Sequence, residues 1–279
     1  MICNTKKKAA VLIGINYFNT KSQLNGCIND AKNLKKFLVT HANYKEEDIV
    51  LLTDDQQFNM PTKQNIKIAL NNLVDKANSG YDEVWFSYSG HGSQKRDYDG
   101  DEADGMDEYI IPCDSSYAGI IDDDWLHKYV VSRLPTSCNM VCLMDCCHSG
   151  TILDLPFVFK NNKLRNMNFV NQKELANIIK LSGCMDNQTS SDISTYTKSY
   201  GAMTHTFLKI LKNNNYCIDC KTLVNKMNME MNINNLSQRP VLSMSNRDLL
   251  NKMLIGDKNT PPSSDGSNNT KSKWSKFFI

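Results

Sequence analysis

The chain has no long apolar run: nowhere do its 279 residues approach the roughly 20 consecutive apolar side chains that a helix needs to cross a bilayer. It has no excess of one charge either. Thirty-two basic against 30 acidic residues leave a formal +2, and no basic stretch is interleaved with aromatics, which argues against a nucleic-acid groove. Lys6-Lys7-Lys8 before the apolar Ala9 to Ile15 is not expected to be a secretion signal but a buried first strand, because Asn16 and Tyr17 follow directly and no small-residue cleavage site appears. Cys217-Ile218-Asp219-Cys220 is a lone CxxC without a second ligand pair at finger spacing, so a structural zinc site is a poor fit. No internal repeat is present.

What is present suits a globular domain, with 41 % hydrophobic residues and 279 positions to bury them in. Ten cysteines without a secretion signal fit a reducing compartment, cytoplasmic or nuclear, with most of the thiols packed in the core. Apolar runs at Ala9 to Ile15, Ile49 to Leu52, Val84 to Ser89, Asn139 to Met144, Ala176 to Leu181 and Pro240 to Met244 predict strands. Helical spacing predicts helices over Ile28 to Thr40, Thr62 to Ala77, Asp122 to Arg133, Ala202 to Leu211 and Lys221 to Met231. Tyr109 to Pro112 with Gly119 to Ile121 predicts a short hairpin, and 157–173, rich in Asn and Lys and without periodicity, a mobile connector open to cleavage. The alternation of strand and helix predicts a mostly parallel sheet covered by helices on both faces. The expected organisation is a short basic leader over 1–8, one domain over 9–256 and a disordered tail over 257–279, whose Trp274, Phe277 and Phe278 could dock elsewhere.

Two strand ends carry chemistry. Val84-Trp85-Phe86-Ser87-Tyr88-Ser89 runs into Gly90-His91-Gly92, and Met140 to Met144 runs into Asp145-Cys146-Cys147-His148-Ser149-Gly150. In a parallel sheet both turns lie at the carboxyl edge, where ligands gather, so a thiol and an imidazole can meet as nucleophile and base. A thiol needs such a partner to react at neutral pH. His148, adjacent to the thiols, is the weaker base candidate. Cys146 and Cys147 point to opposite faces of an extended strand, so one of them alone can meet His91. Asp145 shares a face with Cys147 if the strand stays extended; its charge would raise a thiol pKa, but it suits a cationic group of a substrate. Gly92 and Cys147 are the natural main-chain donors for an oxyanion hole. The residues therefore point to a cysteine peptidase.

A second concentration is acidic: Asp97, Asp99, Asp101, Glu102, Asp104, Asp107, Glu108, Asp114, Asp122, Asp123 and Asp124. So many like charges need open water or a cation, and calcium is the ion that accepts six to eight oxygen ligands. An EF-hand is excluded because Glu102 stands where its turn glycine belongs and a strand precedes it.

SYSGHG and DCCHSG resemble the His and Cys motifs of the metacaspases, and LIGINYF, LNGCINDA, IIPCD, GIIDDD, DLPF, SGCMDNQTS, GAMTHTFL and QRPVLS follow in the family's order over about Ala9 to Leu254. The resemblance implies a caspase-like three-layer α/β/α fold and cleavage of protein or peptide substrates after Arg or Lys. It implies Cys147 as nucleophile, His91 as general base and then acid, and a basic-residue pocket of Cys27, Asp30, Ser89 and Asp145. It also implies activating calcium on Asp107, Asp122, Asp123 and Asp154. Cys146 then becomes a packed bystander. The chain departs from family members with Pro-rich or Cys-rich segments before the domain, so recruitment through such a segment is not expected here. The short connector matches the compact, type I arrangement, with Lys160, Lys163, Arg165 and Lys173 as self-cleavage points. A monomer is expected, without membrane insertion. Two other classes compete: a silent caspase-fold scaffold, which would lack the Cys or His, and a redox protein using Cys146 and Cys147, which would not need His91.

Overall fold

Lys8–Gly14 (β1) is buried at every position after its first, the pattern of a strand covered on both faces rather than one. The structure is a computed structural model that describes residues 6–96, 106–147, 149–167, 176–184, 201–236 and 238–255. After β1 come Cys27–His41 (α1), Ile49–Thr53 (β2), Lys63–Asn78 (α2) and Glu83–Ser89 (β3). Then follow Gly92–Arg96 (β4), Met106–Ile110 (β5), Ser115–Ala118 (α3), Ile121–Asp122 (β6), Asp123–Tyr129 (α4) and Asn139–Asp145 (β7). The second half contributes Phe157–Lys160 (β8), Lys163–Asn166 (β9), Asn177–Cys184 (β10), Ala202–Asn213 (α5), Cys220–Ile233 (α6) and Arg239–Met244 (β11).

Eight strands form one sheet in the order β2-β1-β3-β7-β10-β11-β8-β9, the first five parallel and the last three antiparallel. Alternation splits the core in two. Met140, Cys142 and Met144 of β7 face a layer that includes Ile66, Leu70 and Leu73 of α2 and Leu126 of α4. Val141 and Leu143 face Leu34 and Phe37 of α1, Phe207 of α5 and Met227 of α6. The result is the expected mostly parallel three-layer α/β/α arrangement, because α1, α2, α5 and α6 each bury one apolar stripe against a sheet that is apolar on both sides.

Three expectations need correction. The segment after His91 begins as a strand, β4, which pairs antiparallel with β5, and β5 with β6. The hairpin expected over Tyr109 to Pro112 and Gly119 to Ile121 is thus shifted, with α3 inserted between its arms. The stretch 157–166 is no aperiodic connector but a hairpin, β8 and β9, that extends the main sheet. Asn161 and Asn162, at φ 52° and 62°, make the two-residue turn that left-handed asparagines favour. Its Asn and Lys content concealed an alternation of Phe157, Phe159 and Leu164 that packs on the core. Lys160, Lys163 and Arg165 lie in this hairpin, whereas Lys173, the tail from 256 onward and the acids Asp97 to Asp104 fall outside the described residues.

Gly14 ends β1 where α1 begins, and a Cβ there would run into the main chain of Cys27 and Ile28, with 2.9 Å to the Ile28 Cα. Gly14→Ala should therefore destabilise by about 1–3 kcal/mol, the cost of overpacking against backbone that cannot yield. Urea unfolding of the two forms measures it.

Candidate functional site

The pairing of β3 with β7 sets the site. Ser89 is the register partner of Asp145, and the Gly90 N–H donates to the Asp145 carbonyl at 3.3 Å. His91 and Cys147 each lie two residues beyond that pair, so both leave the sheet at the same carboxyl edge. Gly92 abuts the thiol-bearing turn: a Cβ on it would lie 2.5 Å from the Cys147 carbonyl oxygen and 3.1 Å from the Cys146 sulfur. Only glycine lets these two turns approach so closely. Cys146 is packed in the core layer of Met144, while Cys147, 4 % exposed, belongs to neither apolar cluster. His148 lies outside the described residues.

The His91 backbone is fixed by two phenols. Its N–H donates to the Tyr17 hydroxyl at 2.9 Å, and the Tyr88 hydroxyl donates to its carbonyl at 2.7 Å. The two hydroxyls are 2.9 Å apart, and Tyr17 also reaches the Ile111 carbonyl at 2.6 Å. Burial pushes both phenol pKa values up, so the hydroxyls keep their protons. Nε2 of His91 lies 2.7 Å from the Ser22 carbonyl. A carbonyl can only accept, so the proton sits on Nε2 and Nδ1 is the basic nitrogen. Burial pulls the His91 pKa down, opposed by the Ser22 carbonyl, which favours the neutral base.

Beside this pair lies an acidic recess. Asp30 of α1, Ser89 of β3 and Asp145 of β7 are all nearly buried, and Cys27 is fully so. The Ser89 hydroxyl donates to Asp30 Oδ2 at 2.9 Å. Asp145 receives the Thr204 N–H at 2.9 Å, the Thr204 hydroxyl at 3.0 Å and Gln238 Nε2 at 3.4 Å. Thr204 is in the first turn of α5, and a Cβ on Gly201, the residue before that helix, would lie 3.2 Å from Asp30 Oδ1. Both carboxylates therefore sit at the electropositive end of α5. Burial raises both pKa values, and Asp145 repels charge on Asp30. With its extra donors Asp145 keeps the charge, while Asp30 takes the proton when no cation is near. Burial also pushes the Cys27 thiol up, so it stays neutral. A cleft of about 420 Å³ adjoins Asp30, lined also by Asn29, Ala202 and His205.

The acidic residues around β5 and β6 do not gather in one cluster. Asp107 and Asp122 converge on the Lys95 ammonium at 3.4 and 2.9 Å. Asp123 accepts the Glu108 N–H at 2.6 Å and the Asp124 N–H at 3.0 Å. Asp154 lies 3.7 Å from His127 Nδ1. Among the described residues no group of three or more His, Cys, Asp or Glu side chains is arranged to hold a metal. The Asp107 and Asp122 pair nonetheless already accommodates one positive charge, so it fits a cation.

Reasoning from sequence missed Tyr17, Tyr88, Thr204 and Gln238. Each lies inside a motif, but which polar atom it serves depends on contacts 59 to 93 residues away or, for Tyr88, on a local turn, and no periodicity encodes those.

Comparisons with known proteins bear on the family and the fold. A family model described as "Metacaspase, peptidase C14 domain" matches residues 7–156. Metacaspase-1 of Schizosaccharomyces pombe is 38 % identical over 262 residues, covering 76 % of this chain and 61 % of that protein. Metacaspase-1 of Scheffersomyces stipitis is 36 % identical over 305 residues, covering 91 % of this chain and 74 % of that protein. The chain thus spans about three fifths of the length of the first of these relatives. Among solved structures, a Geobacter sulfurreducens protein superposes with a TM-score of 0.60 at 22 % identity, over 89 % of this chain and 98 % of that one. Caspase-1 from Spodoptera frugiperda superposes with 0.53 at 12 % identity, over 86 % of each chain. These structural likenesses bear on the fold alone.

The His91 imidazole should titrate below about 6.5, the ordinary histidine value. Because its folded pKa is depressed, the stability it contributes is complete above the unfolded value and is lost as pH falls through the folded one. NMR titration of the His91 ring, assigned with a His91→Gln variant, checks the direction.

Proposed function

The chain belongs to the metacaspase family of cysteine peptidases, and from that membership we propose that it is a calcium-activated endopeptidase cleaving after Arg or Lys, with Cys147 and His91 as its dyad. The observation that carries this reading is the β3 and β7 register, which sends His91 and Cys147 from neighbouring strand ends and leaves Asp30 and Asp145 in a recess beside them.

In this reading His91 takes the Cys147 proton on Nδ1, and the thiolate attacks the substrate carbonyl carbon. The C–N bond then breaks, and His91 returns the proton to the departing amine. Water, deprotonated by His91, cleaves the thioester and frees Cys147. The Gly92 and Cys147 N–H groups serve the oxyanion that forms in each half. Asp145 does not activate the thiol. It and Asp30, with Ser89 and Cys27 filling the recess, meet the guanidinium or ammonium of the residue before the scissile bond. Asp30 releases its proton as that cation enters, because the guest supplies the charge that the empty pair lacks.

Calcium, when bound, would supply an electrostatic tie between the loops around the site. Asp107, Asp122, Asp123 and Asp154 are the residues to hold it, and supporting this is the convergence of the first two on the Lys95 ammonium. A silent scaffold finds no support in a chain that keeps both Cys147 and His91. A monomer acting in the cytoplasm or nucleus, uncut or cut at the β8 to β9 hairpin, completes the reading.

Fluorogenic peptides ending in Arg, Lys or Asp, assayed with calcium or chelator, test it: cleavage after Arg and Lys, lost with chelator and abolished in Cys147→Ala, is expected. Preference for Asp, or an active Cys147→Ala, would falsify the proposal. Asp30→Asn should lower kcat/KM on arginyl peptides by about 10- to 100-fold, the worth of a charge-assisted hydrogen bond. The same variant should be no less stable than wild type at pH 8. A raised folded pKa gives stability that is present below the unfolded carboxylate value and lost as pH rises through the folded one. Thermal unfolding at pH 5 and pH 8 reads that difference. In a Cys147→Ala background, Lys95→Gln should tighten calcium binding by about two- to fivefold in calorimetry, the scale of a part-exposed ion pair that calcium would have to displace.

A further inference from the structure

Lys180 is fully buried in the middle of β10, a strand with Ile178 and Ile179 before it and Leu181 after it. An ammonium there needs partners, and it has three main-chain ones: it donates to the carbonyls of Ser149 at 3.0 Å, Gly150 at 2.9 Å and Ile152 at 2.6 Å. Three acceptors use all three N–H donors of an ammonium, one more than a neutral amine could offer. Glu108 and Asp154 add compensating charge, although burial pulls the pKa below the ordinary lysine value. All three carbonyls belong to the turn that follows Cys147.

The same turn closes on itself. The Ser149 hydroxyl donates to the Cys146 carbonyl at 2.9 Å, nearer than the Gly183 carbonyl at 3.5 Å. That carbonyl and the Cys147 N–H belong to one trans peptide plane and point in opposite directions. Fixing the carbonyl inward therefore aims the N–H outward, and Ser149 is itself held through its own carbonyl by Lys180. The Ser243 hydroxyl, 3.4 Å from the Gly150 carbonyl, adds to the same anchorage.

We propose that Lys180 is a positioning residue: acting through Ser149, its ammonium sets the peptide plane between Cys146 and Cys147 and so aims the Cys147 N–H at the oxyanion of the reaction. This rests on the peptidase reading above. A methionine at 180 would fill the same volume but take this donor from the buried Ser149 and Ile152 carbonyls and from Gly150, and the turn would rotate to recover partners. The thiol would survive, while the aim of the N–H would not.

The test separates the thiol from the oxyanion. In Lys180→Met, kcat on an arginyl peptide should fall about 10- to 100-fold with KM within about twofold, the signature of a donor used only in the transition state. Affinity for a peptide argininal, whose hemithioacetal carries an oxyanion, should weaken by the same factor. Alkylation of Cys147 by iodoacetamide, which forms no oxyanion, should change by less than about threefold. Ser149→Ala should repeat the split, and it decides alone if circular dichroism shows Lys180→Met to be unfolded. An unchanged kcat, or alkylation falling in step with kcat, overturns the inference while the peptidase reading stands. A wild type that cleaves no basic peptide overturns both.

Discussion

The parallel pairing of β3 with β7 is the constraint on which the site depends. Ser89 and Asp145 face each other across it, and His91 and Cys147 each lie two residues beyond them. A slip of one residue would move Asp145 away from α1 and α5 and put Met144 in its place, because side chains alternate between faces. The burial of both faces forbids that slip: Met140, Cys142 and Met144 fill one core layer, and Val141 and Leu143 the other. Hydrophobic packing throughout the sheet thus fixes the relative position of a thiol, an imidazole and two carboxylates that contribute little to that packing themselves.

Around this frame the protein buries charge in three places and compensates it differently in each. Asp145 is answered by neutral donors from Thr204 at the start of α5 and Gln238 just before β11. Asp30 accepts from Ser89, and burial and the neighbouring Asp145 raise its pKa. Lys180 is answered by three carbonyls of one turn. An uncompensated buried charge costs several kcal/mol, so each arrangement restricts where its partners can go.

The strands and helices were legible in the sequence wherever periodicity was strong, and the two motif-bearing turns stood out because each follows an apolar run. The β8 to β9 hairpin was not, since its short strands carry Asn, Lys and Arg at their exposed positions and its turn uses asparagine where glycine is the usual signal. The strand after His91 was hidden for a related reason: Ser93, Gln94 and Lys95 are polar on both faces, and they pair with β5 through main-chain bonds that side chains do not announce. Asp107, Asp122 and Asp123 stood out in the sequence as part of an acidic run, while Asp154 came from the family resemblance alone. The division of these four between Lys95, main-chain N–H groups and His127 was not legible.

By itself the sequence determined the family, the layering of the fold and the candidate reacting groups, because motif order and apolar spacing are one-dimensional properties. Only the tertiary structure decided which atoms those groups face. Tyr17 lies 74 residues from His91, Thr204 is 59 from Asp145, and Lys180 is 28 to 31 from the carbonyls it holds. Such partners are chosen by sheet register and helix docking, through which each buried polar atom must find a donor or acceptor from whatever segment packs against it.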